Sequence, residues 1–535
     1  PIRDTLHKRG FRTPLIADIH FTPNAAEIAA RIVEKVRVNP GNYADRKQFK
    51  TIDYTDKEYQ LEIERIRERF LPLVKICKAN GTAMRIGTNH GSLSDRIMSR
   101  YGDSPRGMVE SAMEFLDICE SESYGQIVLS MKASNTQVMV EAYRLLVHTM
   151  MQRGKIYPLH LGVTEAGEGE NGRIKSAIGI GALLLDGIGD TVRVSLTEDP
   201  EFEAPVGRKI VDFALSQAAH SKSNGLPERV TAAFSPFEFR RRETIAVGDF
   251  GRGEIPKVVG RIGTEINFDK GLAELGYSSN KEDTWIKADH ACDYLYFSGE
   301  DREFSPTLPM VVSNRVWAVG LGKNVRPFFE NLELWNNAAK RHPVLNFVRV
   351  NKNDLGKIRS LDLSKVVLVA EPLSKDTTRE LRHFILELDA LNIKNPVLAS
   401  LKAAASDEST YQINAASTLG ELLIDGLLDG LWVDGGSELA VRTAFTILQA
   451  SRLRMSKTEY ISCPSCGRTQ FSLQEVSAKI RNRTEHLKGV KIAIMGCVVN
   501  GPGEMADADF GYVGTGPGKI SLYKGHEVVM RNLDE

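Results

Sequence analysis

The sequence predicts an α/β protein built on parallel strands, and three observations carry that expectation. Short apolar strands alternate with amphipathic helices from Pro14 onward, and such alternation implies right-handed crossovers between parallel strands. Polar side chains recur on one face of these strands, close to the C-terminal ends, where TIM-type barrels carry their sites. The chain has 535 residues, too many for one core, so two or three domains are expected.

The first six strands are read in order as PLIADIH (14–20), KVRVNPG (35–41), AMRIGTN (83–89), IVLSMK (127–132), PLHLGVTE (158–165) and TVRVSL (191–196). Helical stretches such as NAAEIAARIVE, SPRGMVESAMEFLDICE and NTQVMVEAYRLLVHTMM separate them. Strand alternation places Arg37 and Asn39 on one face, opposite Val36 and Val38. It likewise groups Asp18 with His20, Arg85 with Gly87 and Asn89, Ser130 with Lys132, and Arg193 with Ser195. This inward polar set favours a TIM-type barrel over an open doubly wound sheet. Only six strands precede a closing helix at 197–219, and the chain opens in a helix-like stretch (IRDTLHKRG). The first two β/α units of the barrel are therefore expected to be missing, leaving exposed edges and an impaired 1–219 unit.

A polar, arginine-rich stretch leads into a second α/β block over 220–455. Its strands are read as PKVVGRI, DYLYFSG, PMVVSN, VLNFVRV, KVVLVAEP and NPVLASL. Few polar residues cluster at these strand ends, so this block is expected to be barrel-like and structural. The last block, 456–535, is small and carries three of the six cysteines. No low-complexity segment or short-period repeat is visible.

Basic and acidic residues balance at 69 each, which argues against a general nucleic-acid or membrane-surface role. No apolar run is long enough to span a bilayer and no signal-peptide pattern is present, so a soluble protein of a reducing compartment is expected. Six cysteines in so long a chain make no disulfide scaffold. Cys77, Cys119 and Cys292 stand alone and read as buried thiols.

The remaining three form the first chemical signal. Cys463-Pro464-Ser465-Cys466 spaces two thiolates for one metal centre, and Cys497 follows the apolar strand VKIAIMG. Spacing alone leaves two readings open: a [4Fe–4S] cluster with one non-thiolate ligand, or a zinc site completed by His486, which lies in a helical stretch. The second signal is Arg37, Arg85, Lys132 and Arg193 on four different strands. Asp18 and Glu165 do not balance them, so a multiply charged anion is expected to complete the site, with arginine matching phosphate geometry. Salt bridges alone are the competing reading. Two glycine runs are rejected as nucleotide loops: IGIGALLLDGIG (178–189) lacks the required third glycine, and GTGPGK (514–519) lacks the P-loop frame. On residues alone, a zinc-bearing barrel that isomerises or cleaves a sugar phosphate remains the alternative.

Taken together, the strings ADIHF, KVRVNPGN, MRIGTNHGSLSDR, HLGVTEAGEGE, GIGDTVRVSLTE, SCPSCGRT and MGCVVNGPGE resemble the 4-hydroxy-3-methylbut-2-en-1-yl diphosphate synthase family. The middle block is similar to the insertion of the family's long form. The resemblance implies an iron–sulfur oxidoreductase of the methylerythritol phosphate route to isoprenoids. Its substrate would be 2-C-methyl-D-erythritol 2,4-cyclodiphosphate, reductively opened and dehydrated to (E)-4-hydroxy-3-methylbut-2-enyl diphosphate. It implies a [4Fe–4S] cluster on Cys463, Cys466, Cys497 and Glu504, and a substrate cradle of Arg37, Arg85, Asn89, Lys132, Arg193 and Ser195. Asp18, His20, Thr164 and Glu165 would line the reacting end, with Asn500 reaching in from the cluster domain. The implied electron donor is ferredoxin or flavodoxin. A homodimer and closure within one chain both stay open, with a hinge expected near Leu453–Tyr460.

Overall fold

The computed structural model describes residues 2–19, 22–45, 51–220, 235–263, 267–279, 284–299, 303–320, 324–401, 407–433, 437–465, 468–498, 501–505 and 507–535. The six expected strands are present: β1 (Ile16–Asp18), β2 (Lys35–Val38), β3 (Ala83–Asn89), β4 (Ile127–Lys132), β5 (His160–Leu161) and β6 (Thr191–Val192). They pair in sequence order and all in parallel, with β4 joined to β5 by a bridge between Leu129 and Leu159. Strands β5 and β6 are shorter than the sequence suggests. Beyond them the backbone turns to loops instead: Thr164 N donates to Ala133 O at 3.1 Å and Thr197 N to Gly167 O at 3.0 Å. The closing helix spans Glu203–His220. The glycine run 178–189 lies mostly inside the helix Gly169–Leu185, where a Cβ on Gly179 would stand 2.6 Å from Val163 Cγ2. Its glycines serve close packing rather than a ligand.

The middle block forms a closed parallel barrel. In chain order its elements are β7 (Lys257–Ile262), a side hairpin of β8 (Tyr277–Ser279) and β9 (Trp285–Lys287), then β10 (Tyr294–Phe297), β11 (Met310–Ser313), β12 (Val325–Phe329), β13 (Asn346–Val350), β14 (Val366–Ala370), β15 (Val397–Leu401) and β16 (Gly430–Val433). Strand β7 closes on both β10 and β16. The sequence reading missed β12, which contains Pro327, and β16, which is four residues long. The lumen is filled by aromatics: Phe250 enters from a short hairpin and packs on Tyr294 and Phe347, while Trp432 stacks on Phe328 with centroids 4.8 Å apart. The mouth departs from expectation. Arg349 pairs with Glu330 and, at 3.2 Å, with Glu371, and Tyr296 OH donates to Glu330 at 3.2 Å. Polar residues do gather there, but they neutralise one another.

The last block is one sheet of β17 (Glu459–Ser462), β18 (Lys491–Met495), β19 (Phe510–Gly516), β20 (Lys519–Lys524) and β21 (Glu527–Asp534), parallel through β19 and antiparallel after it. GTGPGK spans the end of β19, a turn at Pro517 and Gly518, and the start of β20. Parallel pairing of β17 with β18 sets Cys463 and Cys497 past the same end of the sheet. His486 sits elsewhere. The helix Leu473–Thr484 stops before it, and its turn holds the other end of β17, where Thr458 Oγ1 donates to Leu487 O at 3.0 Å. A strand of about 3.3 Å per residue separates it from Cys463, so His486 does not complete a zinc site. Among the described residues no helix is long and apolar enough to cross a membrane.

Candidate active site

Strand register assembles the cationic half of the site. Asp18 pairs across to Arg37, Arg37 to Arg85, and Asn89 to Lys132. Arg37 donates to Asp18 Oδ1 at 2.7 Å, Gly87 O at 2.8 Å and Asn89 Oδ1 at 3.1 Å. A Cβ on Gly87 would stand 2.6 Å from Arg37 Nε, so glycine there lets the guanidinium cross β3. Arg85 is held loosely, donating to Ser130 Oγ at 3.3 Å and lying 3.8 Å from Asp18. Lys132 is 4% exposed and makes no ion pair among the described residues. Burial, then Arg85, Arg193 and Arg37, push its amine well below the ordinary lysine range. Burial, then Arg37, lower Arg85 to about 10. His160 is held neutral by burial and then by Lys132. Ser195 is buried, whereas Arg193 stands exposed at the rim. Among the described residues these cations outnumber the one acid paired with them, Asp18.

The C-terminal sheet supplies the other half and docks on the first barrel within the same chain. A parallel bridge joins Ala166 to Ser462. Thr197 Oγ1 donates to Ser462 O at 3.3 Å and Cys463 O at 3.2 Å. Lys175 meets Glu459 at 2.7 Å in a buried pair, and Arg481 meets Glu168 at 3.1 Å. Asn89 Nδ2 donates to Glu504 Oε1 at 2.9 Å. A Cβ on Gly91 would lie 2.2 Å from Gly503 O, so only glycine permits this backbone approach. Pro464 precedes Ser465, which takes φ 63°. Cys463 Sγ accepts the Gly496 N–H at 3.3 Å, while burial pushes its thiol up to about 11.

The two halves enclose one cavity of about 270 Å³. Asp18, Arg37, Arg85, Asn89, Lys132, Thr164, Glu165, Arg193 and Ser195 line it from the barrel, and Cys463, Cys497 and Glu504 from the sheet. Of the expected site residues, His20, Cys466 and Asn500 lie outside the described residues. Glu165 takes φ 48°, and its Oε2 is buried without a hydrogen-bond partner among the described residues. Burial and then the adjacent Glu504 carboxylate raise its carboxyl well above the usual range. Arg468 and Thr469 also line the cavity and were missed; their signal was the Gly-Arg-Thr that directly follows Cys466.

Among the described residues no three His, Cys, Asp or Glu side chains converge on one metal ion. Cys463, Cys497 and Glu504 instead border a shared cavity, an arrangement that suits a multi-atom cluster, whose ligands are spaced by the cluster's width. The Gly496 N–H on Cys463 Sγ is the kind of bond that tunes a cluster thiolate.

Comparison with known proteins adds the family. Residues 3–208 match the model of the GcpE TIM-barrel domain, and residues 459–535 match that of the GcpE protein C-terminal domain. A 4-hydroxy-3-methylbut-2-en-1-yl diphosphate synthase (flavodoxin) of Parabacteroides distasonis is 48% identical over 100% of this chain and 85% of its own length. One from Leptospira interrogans is 44% identical over 99% of this chain and 84% of its own. The chloroplastic 4-hydroxy-3-methylbut-2-en-1-yl diphosphate synthase (ferredoxin) of Arabidopsis thaliana is 43% identical, covering 99% and 76%. Identity at this level across the barrels and the cysteine-bearing sheet, over the very strands that build the cavity, means that the chain belongs to the GcpE family of 4-hydroxy-3-methylbut-2-en-1-yl diphosphate synthases.

Proposed function

We infer that the chain reductively opens 2-C-methyl-D-erythritol 2,4-cyclodiphosphate and releases (E)-4-hydroxy-3-methylbut-2-enyl diphosphate, a precursor of isoprenoids. Two electrons and one proton enter and one water leaves. One observation carries this reading: a single cavity is lined by the barrel's cations and by Cys463, Cys497 and Glu504. Residues 1–219 would hold the substrate, 456–535 the redox centre, and 220–455 would space them. Cys463, Cys466, Cys497 and Glu504 would hold a [4Fe–4S] cluster. That cluster would supply the reducing electrons, which no side chain in the cavity can. Reduced flavodoxin or ferredoxin, the donors named for the relatives, would recharge it.

The remaining tasks fall to the chain's own residues. Arg37, Arg85, Lys132 and Arg193 would bind the diphosphate and stabilise charge on the phosphate oxygen as its C–O bond breaks. Asp18 orients Arg37. Asn89 bonds both Arg37 and Glu504, tying the cradle to the docked sheet. Thr164 and Glu165, with His20 and Asn500, would line the reacting end, where Glu165 Oε2 has no hydrogen-bond partner among the described residues. Docking of the sheet would limit water in this space.

The test is anaerobic purification, iron and sulfide analysis, and turnover of the cyclic diphosphate with a reduced donor. About four irons and four sulfides per chain, with substrate-dependent donor oxidation, are expected. Zinc in their place, with no turnover, would overturn the reading.

A further inference from the structure

The two barrels repeat each other. Leu183-Leu184-Leu185-Asp186-Gly187, then Asp190 and Val194, is matched at one constant offset by Leu422-Leu423-Ile424-Asp425-Gly426, Asp429 and Val433. The structure follows the match. Gly187 and Gly426 take φ 78° and 71° after equivalent helices. Asp190 accepts the Leu159 N–H at 2.7 Å, and Asp429 the Val397 N–H at 3.0 Å. Those equivalent helices, Gly169–Leu185 and Glu408–Ile424, pack on one another. A Cβ on Gly181 would stand 2.6 Å from Ser417 Oγ, and one on Gly420 2.5 Å from Ile178 Cγ1. Under the offset Gly420 is the counterpart of Gly181, and Ser417 of Ile178. The Gly181–Ser417 contact is therefore repeated by its counterpart pair, Gly420–Ile178, which is the signature of an isologous contact.

The buried charges obey the same pseudo-twofold. Arg144 and Arg382 lie on equivalent helices, Thr136–Gln152 after β4 and Thr377–Ala390 after β14. Arg144 meets Asp186 at 2.8 Å and Asp425 at 2.7 Å, while Arg382 meets Asp425 at 2.7 Å and Asp186 at 2.9 Å. The result is a closed ring of alternating sign. Two features depart from the offset: Arg382 stands one residue before His383, which is Arg144's counterpart, and Glu421, a further partner of Arg382, has Ala182 as its counterpart. Apolar side chains would hold two helices together at least as well as such a ring. What directional ion pairs add is a defined angle about the axis, which ridge-and-groove packing leaves soft by many degrees.

We propose that Arg144, Asp186, Arg382 and Asp425 are positioning residues for the reaction: they fix the angle between the barrels and thereby where the C-terminal sheet lands over the cradle. The sheet's approach is anchored on both barrels. Arg454 holds Pro256 O at 3.0 Å and Asp293 at 3.1 Å on the second, and Lys175 with the Ala166–Ser462 bridge holds the first. A rotation between the barrels strains both anchorages. The inference rests on the proposed function only in that the sheet must meet the cradle for turnover.

The test uses the full, cluster-loaded chain. Arg382→Met strands three carboxylates on Arg144 and is expected to fold poorly, so the informative variant neutralises the whole set: Arg144→Met/Asp186→Leu/Arg382→Met/Glu421→Leu/Asp425→Leu. It should fold and retain parental iron. Backbone hydrogen exchange at 159–168 and 459–463 should quicken roughly tenfold while the barrel cores stay protected. With the cradle entirely in the first barrel, KM should stay within about twofold while kcat falls roughly tenfold or more, because ångström-scale misplacement is that costly. Parental exchange with parental kcat would overturn the proposal, and so would uniformly faster exchange with KM and kcat changing together. If the parent itself failed to turn over the cyclic diphosphate, the proposed function would fall, and the exchange data would still judge the ring.

Discussion

Replacing Arg85 by Met should make the ligand-free protein more stable and its complex weaker, both from one cause. Burial and the neighbouring Arg37 lower the Arg85 guanidinium from 12.5 to about 10. The folded value lies below the unfolded one, so the charged form opposes folding at every pH under about 10, and the penalty fades as pH rises through that value. At about 1.4 kcal/mol per tenfold, the ligand-free fold carries a cost of about 3 kcal/mol. Little offsets it, since the Ser130 and Asp18 contacts are long, at 3.3 and 3.8 Å. Methionine fills similar space without charge, so Arg85→Met should gain about 1–3 kcal/mol against unfolding. A bound diphosphate reverses the balance by pairing the charge, and its loss should lower kcat/KM by about 2–4 kcal/mol. Thermal or urea unfolding without ligand, beside steady-state kinetics or calorimetry with the cyclic diphosphate, reads both signs. A variant that is less stable without ligand yet binds substrate as the parent does would refute the cradle.

Three further outcomes follow from the same geometry. Glu504→Ala, purified anaerobically, should hold its cluster weakly and lose nearly all turnover; a parental spectrum with parental activity would return the fourth ligand to question. Diphosphate binding should take up protons at alkaline pH, because the buried Lys132 amine is depressed in the free site and an anion raises it again; calorimetry in buffers of different ionisation enthalpy checks the sign, and proton release would contradict it. Titration of the full chain with pyrophosphate should give one tight site per chain, and two comparable sites would mean that the second barrel also keeps a cradle.

The cationic face of the cavity was legible because strand alternation is local. Arg37, Arg85, Lys132 and Ser195 each fall on the inward phase of a short run, and the ladder then set Asp18, Arg37 and Arg85 side by side. Strand β12 was hidden by Pro327, and β16 by its four-residue length. His486 sounded like a ligand by composition, but sequence spacing does not say which end of a sheet a turn reaches. Docking within one chain had no local sign either. It depends on pairs such as Lys175 with Glu459, far apart along the chain and brought together by both barrels. The barrel repeat escaped the first reading because its clearest stretch is one helix and the following strand, matched across a long interval.

That repeat explains why one barrel carries a site and its neighbour does not. Under the same offset Lys132 corresponds to Glu371 and Arg193 to Trp432. In the first barrel Lys132 is buried with no ion pair among the described residues, and Arg193 stands exposed at the cavity rim. In the second, Trp432 stacks on Phe328 within the lumen, and Glu371 joins Glu330 in neutralising Arg349. One scaffold thus reaches two end states. A filled, neutral lumen needs nothing bound and suits a rigid spacer. An unfilled, cationic mouth is a less stable solution, which would persist if, as proposed, the anion that completes it under the docked cysteine-bearing sheet is the one to be reduced.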